Sequence, residues 1–167
     1  MRAFLQRLRR DEGGTAAIEF ALWSALFFAV VLVALDFGMY RLYQLRLASA
    51  VEEGAILSFN MRGTLSQDSG ATVRNYVRAS AGLPGTAPIV TMNCNVGTAN
   101  CVSVGRTCAC VSATGFTAAP CATACPAGGT AGYYLKLTAS YIYTPVIVPN
   151  RWLSNRAMRE SAVVRLQ

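Results

Sequence analysis

Phe20–Leu35 is a run of sixteen residues without a single charge. Counted back to Gly13, the apolar stretch reaches about 23 residues broken only by Glu19, and at ~1.5 Å of rise per residue a helix of that length crosses a ~30 Å hydrocarbon core. The pattern predicts one transmembrane helix. Its Leu, Val and Phe side chains each contribute roughly −0.3 to −0.6 kcal/mol on the insertion scale. An acid at the centre costs roughly +2.5 to +3.5 kcal/mol, so the segment inserts despite Glu19 near its end. Arg2, Arg7, Arg9 and Arg10 precede the span while only Arg41 and Arg46 follow closely. That asymmetry keeps the N-terminus cytoplasmic and puts the remaining chain on the far side of the membrane.

The anchor and its extension take up roughly 60 of the 167 residues, leaving about 100 for one small domain. The net charge of +7 is spread thinly over Arg41, Arg62, Arg74, Arg78, Arg106, Arg151, Arg156, Arg159 and others. No dense basic patch with interleaved aromatics occurs, so a nucleic-acid partner is not expected; a mild affinity for acidic lipid or polymer is. All six cysteines, Cys94, Cys101, Cys108, Cys110, Cys121 and Cys125, fall in the part placed beyond the membrane, where disulfides are the expected state. Spacing alone does not choose among the pairings, although Cys108 and Cys110 are too close to bond easily with each other. A thiolate metal site is the competing reading, but there is no CxxC pair and no histidine in the chain. Neither metal nor cofactor is expected.

The helix signal continues past the bilayer. Phe37, Tyr40, Leu45, Leu47, Val51, Ile56 and Leu57 recur at helical spacings among Arg41, Gln44, Arg46, Glu52 and Glu53, which makes an amphipathic face for a globular part to pack on. Met61-Arg62-Gly63-Thr64 ends the helix. Ser66 or Ser69 caps a second, shorter helix through Val73, Tyr76 and Val77 to about Ser80, stopped by Gly82-Leu83-Pro84-Gly85. Short strands are expected at Pro88–Cys94, Cys101–Val104 and Thr107–Ser112. Thr114–Gly132, rich in Ala, Thr, Gly and Pro, has the composition of a cystine-pinned loop. Tyr133–Val148 and Ala157–Leu166 alternate as strands.

The fold class is therefore α+β: a long N-terminal transmembrane helix extending into a second short helix and a small antiparallel sheet, stabilised by disulfides. The expected divisions are a basic leader peptide at 1–14, a transmembrane and extended amphipathic helix at 15–60, and an extracytoplasmic α+β domain at 61–167 with a Cys-rich loop region at 94–125.

Three groups of residues occur in order around the span: Gly14-Thr15-Ala16-Ala17-Ile18-Glu19-Phe20-Ala21-Leu22, Asp36-Phe37-Gly38, and Ala50-Val51-Glu52-Glu53-Gly54-Ala55. Over roughly Gly13–Ser58 the chain thereby resembles the TadE-like family, pseudopilins of the tight-adherence (Flp-type) pilus. Tyr-Ile-Tyr-Thr-Pro at 141–145 is similar to the late part of such proteins. Two features depart from the family. Ser24-Ala25 stands where members often carry a proline, so a proline kink should be absent, and the cysteine-rich region is not part of the shared motif.

The resemblance implies cleavage after Gly14 by a prepilin peptidase, an aspartyl protease in the membrane, with the mature chain starting at Thr15. Removing Met1–Gly14 takes away four arginines and two acids. Glycine leaves the backbone extended and accessible, and the small residues after it keep the segment slim. Glu19, with Phe20 beside it, then acquires an assembly role: the new ammonium at Thr15 of the same or a neighbouring subunit lowers the cost of the carboxylate in lipid. The bland alternative is that Glu19 snorkels to the cytoplasmic headgroups.

Asp36 lies 17 residues after Glu19, ~25 Å along a helix, and is expected at the outer interface as a solvated acid needing no partner; an inter-subunit contact is the lesser reading. Trp23, Tyr40 and Tyr43 read as interfacial anchors or packing residues. Gly38 is a place for close helix approach, and Glu52 and Glu53 form a solvated face. An enzyme is not expected. The chain lacks the histidine of Ser-His or Cys-His centres, shows no supported carboxylate pair and carries no Walker-type loop. Cys108-Ala109-Cys110 reads as structural cystine rather than a redox centre.

The expected function is that of a minor pilin-like (pseudopilin) subunit in assembly of a tight-adherence pilus. Its expected place is the bacterial inner membrane, single-pass, with a periplasmic or extracellular C-terminal domain. Its expected partners are the inner membrane, the prepilin peptidase, other pilin-like subunits and the pilus assembly machinery. The alternatives are a single-span anchored binding or adhesin module outside any filament, and a secreted domain behind an ordinary signal peptide.

Overall fold

The computed structural model describes residues 13–95, 101–112, 115–146 and 157–167. The leader expected at 1–14 lies outside them except for Gly13 and Gly14, as do the last two residues of the strand expected to reach Val148. Helix α1 runs without interruption over Gly13–Asn60, 48 residues and ~72 Å long. Its two halves differ sharply. From Gly14 to Leu35 no side chain is buried; Asp36 is the first that is. Beyond it Leu47, Ala50, Val51, Ala55 and Ser58 form a buried stripe at the three- and four-residue spacing of one helix face. Glu52 and Glu53 lie on the exposed side.

Helix α2, Gln67–Ala81, begins in a capping box: the Ser69 N–H donates to Ser66 Oγ at 3.3 Å and the Ser66 N–H to Ser69 Oγ at 2.6 Å. Gly82 ends it at φ 54°, a left-handed value that suits glycine. Val73, Val77 and Ala81 are its buried face. Gly54 of α1 is the point of closest approach. A Cβ there would lie 2.3 Å from Val77 Cγ2 and 2.8 Å from Leu137 Cδ2.

Five strands follow: β1 (Ile89–Cys94), β2 (Ala109–Ser112), β3 (Gly115–Ala118), β4 (Tyr134–Ile142) and β5 (Ala157–Arg165). An antiparallel sheet of order β1-β4-β5 pairs Met92 with Leu137 and Leu137 with Ala162. Leu135, Leu137, Ala139 and Tyr141 alternate into the core with Val90, Met158 and Leu166, against α1 and α2. The opposite face carries Lys136, Thr138, Ser140 and Ile142. The fold is thus two layers, a helix pair on one face of a three-stranded sheet.

Three expectations need correction. Cys101–Val104 is not a strand. The Cys94–Cys101 disulfide, with a sequence separation of 7, ties Cys101 back to the end of β1, and the Val102 N–H bonds the Tyr133 hydroxyl instead of a ladder. Thr114–Gly132 is not all loop, because β3 pairs with β2 in a hairpin of its own; Ala- and Thr-rich composition hides a strand of four residues. The Tyr133–Val148 strand ends at Ile142, where the ladder with β5 stops, ahead of Pro145, which has no N–H to donate.

The six cysteines form Cys94–Cys101, Cys108–Cys121 and Cys110–Cys125, with Cys108 and Cys110 bonded away from each other. The last two pairs pin a satellite cluster of Cys108, Cys110 and Ala131 apart from the main core. A cystine closing a loop of about 15 residues stabilises by ~3 kcal/mol in the chain-entropy account, enough to order a module whose own core is three small residues.

Gly54→Ala is expected to destabilise the protein by about 1–3 kcal/mol through overpacking. Gly38→Ala, whose Cβ meets nothing within 4 Å, is neutral or stabilising by up to ~1 kcal/mol. Urea titration of the two variants in detergent checks the difference.

Candidate functional site

Two places on α1 carry ionisable groups that an apolar helix must account for. At its start, Gly14, Thr15, Glu19 and Phe20 lie on the uncovered half of the helix; Phe20 is 75% exposed and no atom comes within 4 Å of a Cβ placed on Gly14. Thr15 and Glu19 are one helical turn apart on one face. Glu19 borders a shallow open groove with Leu22, Trp23 and Leu26. Among the described residues, every side chain shown bordering Glu19 belongs to α1 itself.

The second place is the end of the apolar run. Asp36 is only 3% exposed, so it is not the solvated boundary acid expected from its position. The segment that follows β4 covers it. The Val146 N–H donates to Asp36 Oδ1 at 3.1 Å, and the Tyr143 hydroxyl lies 3.3 Å from the Asp36 carbonyl oxygen and 3.5 Å from Oδ1. The tyrosines around it are packing residues: Tyr40 meets Tyr143 edge-on at 5.6 Å, and Tyr43 meets Tyr141 at 6.4 Å and Tyr143 at 5.6 Å, a favoured arrangement for ring quadrupoles. Burial, then the Asp36 charge, raises the Tyr143 pKa above its ordinary value, and burial followed by Tyr43 does the same for Tyr141. One turn further up, Arg41 donates to Gln44 Oε1 at 2.9 Å and Gln44 Nε2 to Glu160 Oε1 at 3.0 Å, joining α1 to β5 by a polar chain.

Arg106 is a second residue that sequence reading passed over. Its guanidinium lies 5.1 Å from the Tyr133 ring centroid, and it donates to the Val102 carbonyl at 3.1 Å and to the carbonyl of Arg62. It clamps the cystine loop to the α1–α2 connection. For Asp36 a signal existed: Tyr141 and Tyr143 share the apolar phase of β4, and two phenols inside a core need polar partners.

The arrangement offers little for chemistry. Among the described residues no cluster of three or more His, Cys, Asp or Glu could hold a metal ion. A recess of about 310 Å³ on the cystine hairpin, bordered by Val111, Thr117, Pro120 and Pro126, has no ionisable side chain in its wall and so no general acid or base.

Fold and site define a class: an apolar helix long enough to cross a membrane, continuous with a small cystine-stabilised α+β domain. A family model described as TadE-like protein matches residues 14–55, which bears out the resemblance read from the sequence over that segment and fits a pilus-related, membrane-anchored protein. No curated protein and no solved structure gave a match.

Asp36→Ala removes the carboxylate acceptor of the part-buried Val146 N–H and of the buried Tyr143 hydroxyl and is expected to cost about 1–3 kcal/mol; Asp36→Asn, which keeps an Oδ1, costs less. Chemical denaturation measures both. A phenol whose folded pKa is raised binds its proton more tightly when folded. Its contribution is therefore complete below the unfolded tyrosine value of ~10 and is lost as pH climbs through the folded value. Stability is expected to fall above pH ~10, and Tyr143→Phe to flatten that fall in a pH series of unfolding curves.

Proposed function

We propose that the chain is a minor pilin-like subunit, a pseudopilin that takes part in assembling a tight-adherence pilus. A prepilin peptidase cuts it after Gly14, and α1 anchors it in the bacterial inner membrane with the N-terminus cytoplasmic and the domain outside. On this reading residues 1–14 are leader, 15–60 anchor and stalk, and 61–167 the extracytoplasmic domain. The observation that carries it is the division of α1: twenty-odd residues of which none is buried, beginning at Gly13-Gly14 and continuous with a half that packs into a domain. The family match starts at residue 14, the glycine of the proposed cut. A free ammonium at Thr15 would stand one turn from Glu19, so pairing within one subunit or across to a neighbour would lower the cost of the acid in lipid. The rigid, cystine-tied domain has the build of a structural part rather than of a catalyst.

N-terminal mass spectrometry of protein from cells with and without the pilus peptidase tests this. The expected result is a start at Thr15 that requires the peptidase and is abolished by Gly14→Leu; retention of Met1 beside normal pili refutes it and favours an anchored binding module. Glu19→Gln is expected to insert normally and to reduce pilus number several-fold, counted by electron microscopy.

A further inference from the structure

The proposed span has a consequence for where the domain sits. If the hydrocarbon core begins near Glu19, a ~30 Å core takes about 20 helical residues and ends close to residue 39. Asp36 then lies at the outer edge of the hydrocarbon, yet it is 3% exposed. What hides it is the domain itself, through Tyr143 and the Val146 N–H. No spacer separates the apolar half of α1 from the folded core, because Tyr40, only four residues on, already packs on Tyr143. Strand β4 runs down α1 toward the membrane: Leu137 is level with Gly54 and Tyr143 with Asp36.

The underside this creates is apolar and uncharged among the described residues. Val146 is 87% exposed, Ile142 63% and Phe37 46%, and Ala157, paired with Ile142, is exposed beside them. Among the described residues, the nearest exposed cations stand above that rim. Arg41 is ~7.5 Å further along α1 from Asp36, and Arg159 is two residues up β5 from Ala157, ~6.6 Å. Both heights fall within the headgroup layer, which adds roughly 5–7 Å to each side of the core. An apolar rim, continuous with a lipid-facing helix and crowned by arginines at phosphate depth, fits an anionic bilayer surface. We infer that the underside of the domain, with Val146 and Ile142 at its centre, is seated in the headgroup–acyl boundary of the outer leaflet. The membrane therefore holds the domain by its rim as well as by α1.

This seating rests on the proposed span, and the test separates the two. The full-length protein is reconstituted in phosphatidylcholine–phosphatidylglycerol vesicles whose acyl chains are brominated just below the glycerol. Three single-indole proteins are compared. Trp152→Phe alone keeps Trp23 in the span. The Trp23→Phe/Trp152→Phe background with Val146→Trp puts the indole on the rim. The same background with Val104→Trp puts it on an 83% exposed residue of the cystine loop, at the other end of the sheet. An indole seated ~5–10 Å into the interface is expected to lose about half or more of its emission, so Trp23 and the rim position are quenched and position 104 is not. Quenching of Trp23 without the rim overturns the seating and leaves the span standing. Failure to quench Trp23 removes the span and the seating with it. Equal quenching at 104 and 146 also overturns the seating, since it means the domain lies on its side. A rim indole that escapes bromine but is protected from acrylamide in proportion to protein density means that a second copy covers the rim, and refutes the lipid assignment. Ile142→Trp repeats the measurement should Val146→Trp disturb the cover of Asp36, as judged by near-UV circular dichroism.

Discussion

A carboxylate at the point where an apolar helix ends must be solvated or covered, and in this chain the burial of Asp36 sets the geometry of everything attached to it. Its cover comes from residues more than a hundred positions away, Tyr143 and Val146. It exists only if β4 runs antiparallel to α1 with a definite register. The other end of that register is set at Gly54, where the absence of a Cβ lets Val77 and Leu137 approach. Eighteen helical residues between the two points span ~27 Å, and the chain from Leu137, strand as far as Ile142 and irregular from there to Val146, returns along them. Helix and returning chain are fastened to each other at both ends.

That double fastening gives the outer half of α1 its mechanical character. The edge-on tyrosines between the fastenings and the Arg41–Gln44–Glu160 chain on the flank tie the helix to the sheet at further points along the same face. The bare inner half has the opposite character: among the described residues its apolar side chains meet none from the domain, and its length and composition are those of a helix able to cross a membrane.

The cystine module obeys a different economy. Residues between Cys108 and Gly132 bury almost nothing of bulk, and two disulfides, a short hairpin and the isolated bridges Ala109–Gly132 and Ala124–Thr130 stand in for a core. Arg106, stacked on Tyr133, joins the neighbouring cystine loop to the rest. Small segments that cannot exclude enough apolar surface depend on such covalent closure.

Local periodicity decided much of this protein directly from the sequence. The membrane-length run, the amphipathic continuation of α1, the Ser66 cap and the in–out phase of β4 and β5 each depend on neighbours within a turn or a pleat, so residue order was enough to read them. The oxidation of the cysteines was legible from their number and position. The pairing of those cysteines, the strand β3 inside an Ala- and Thr-rich stretch and the failure of Cys101–Val104 to form a strand were not, because each depends on a partner brought near by other contacts. Asp36 is the sharpest case. Sequence alone places it at the end of an apolar helix, where water is the default partner; the inward phenols Tyr141 and Tyr143 call for polar partners, but only the tertiary structure brings Tyr143 and Val146 to a carboxylate more than a hundred residues away, because local spacing does not name so distant a partner.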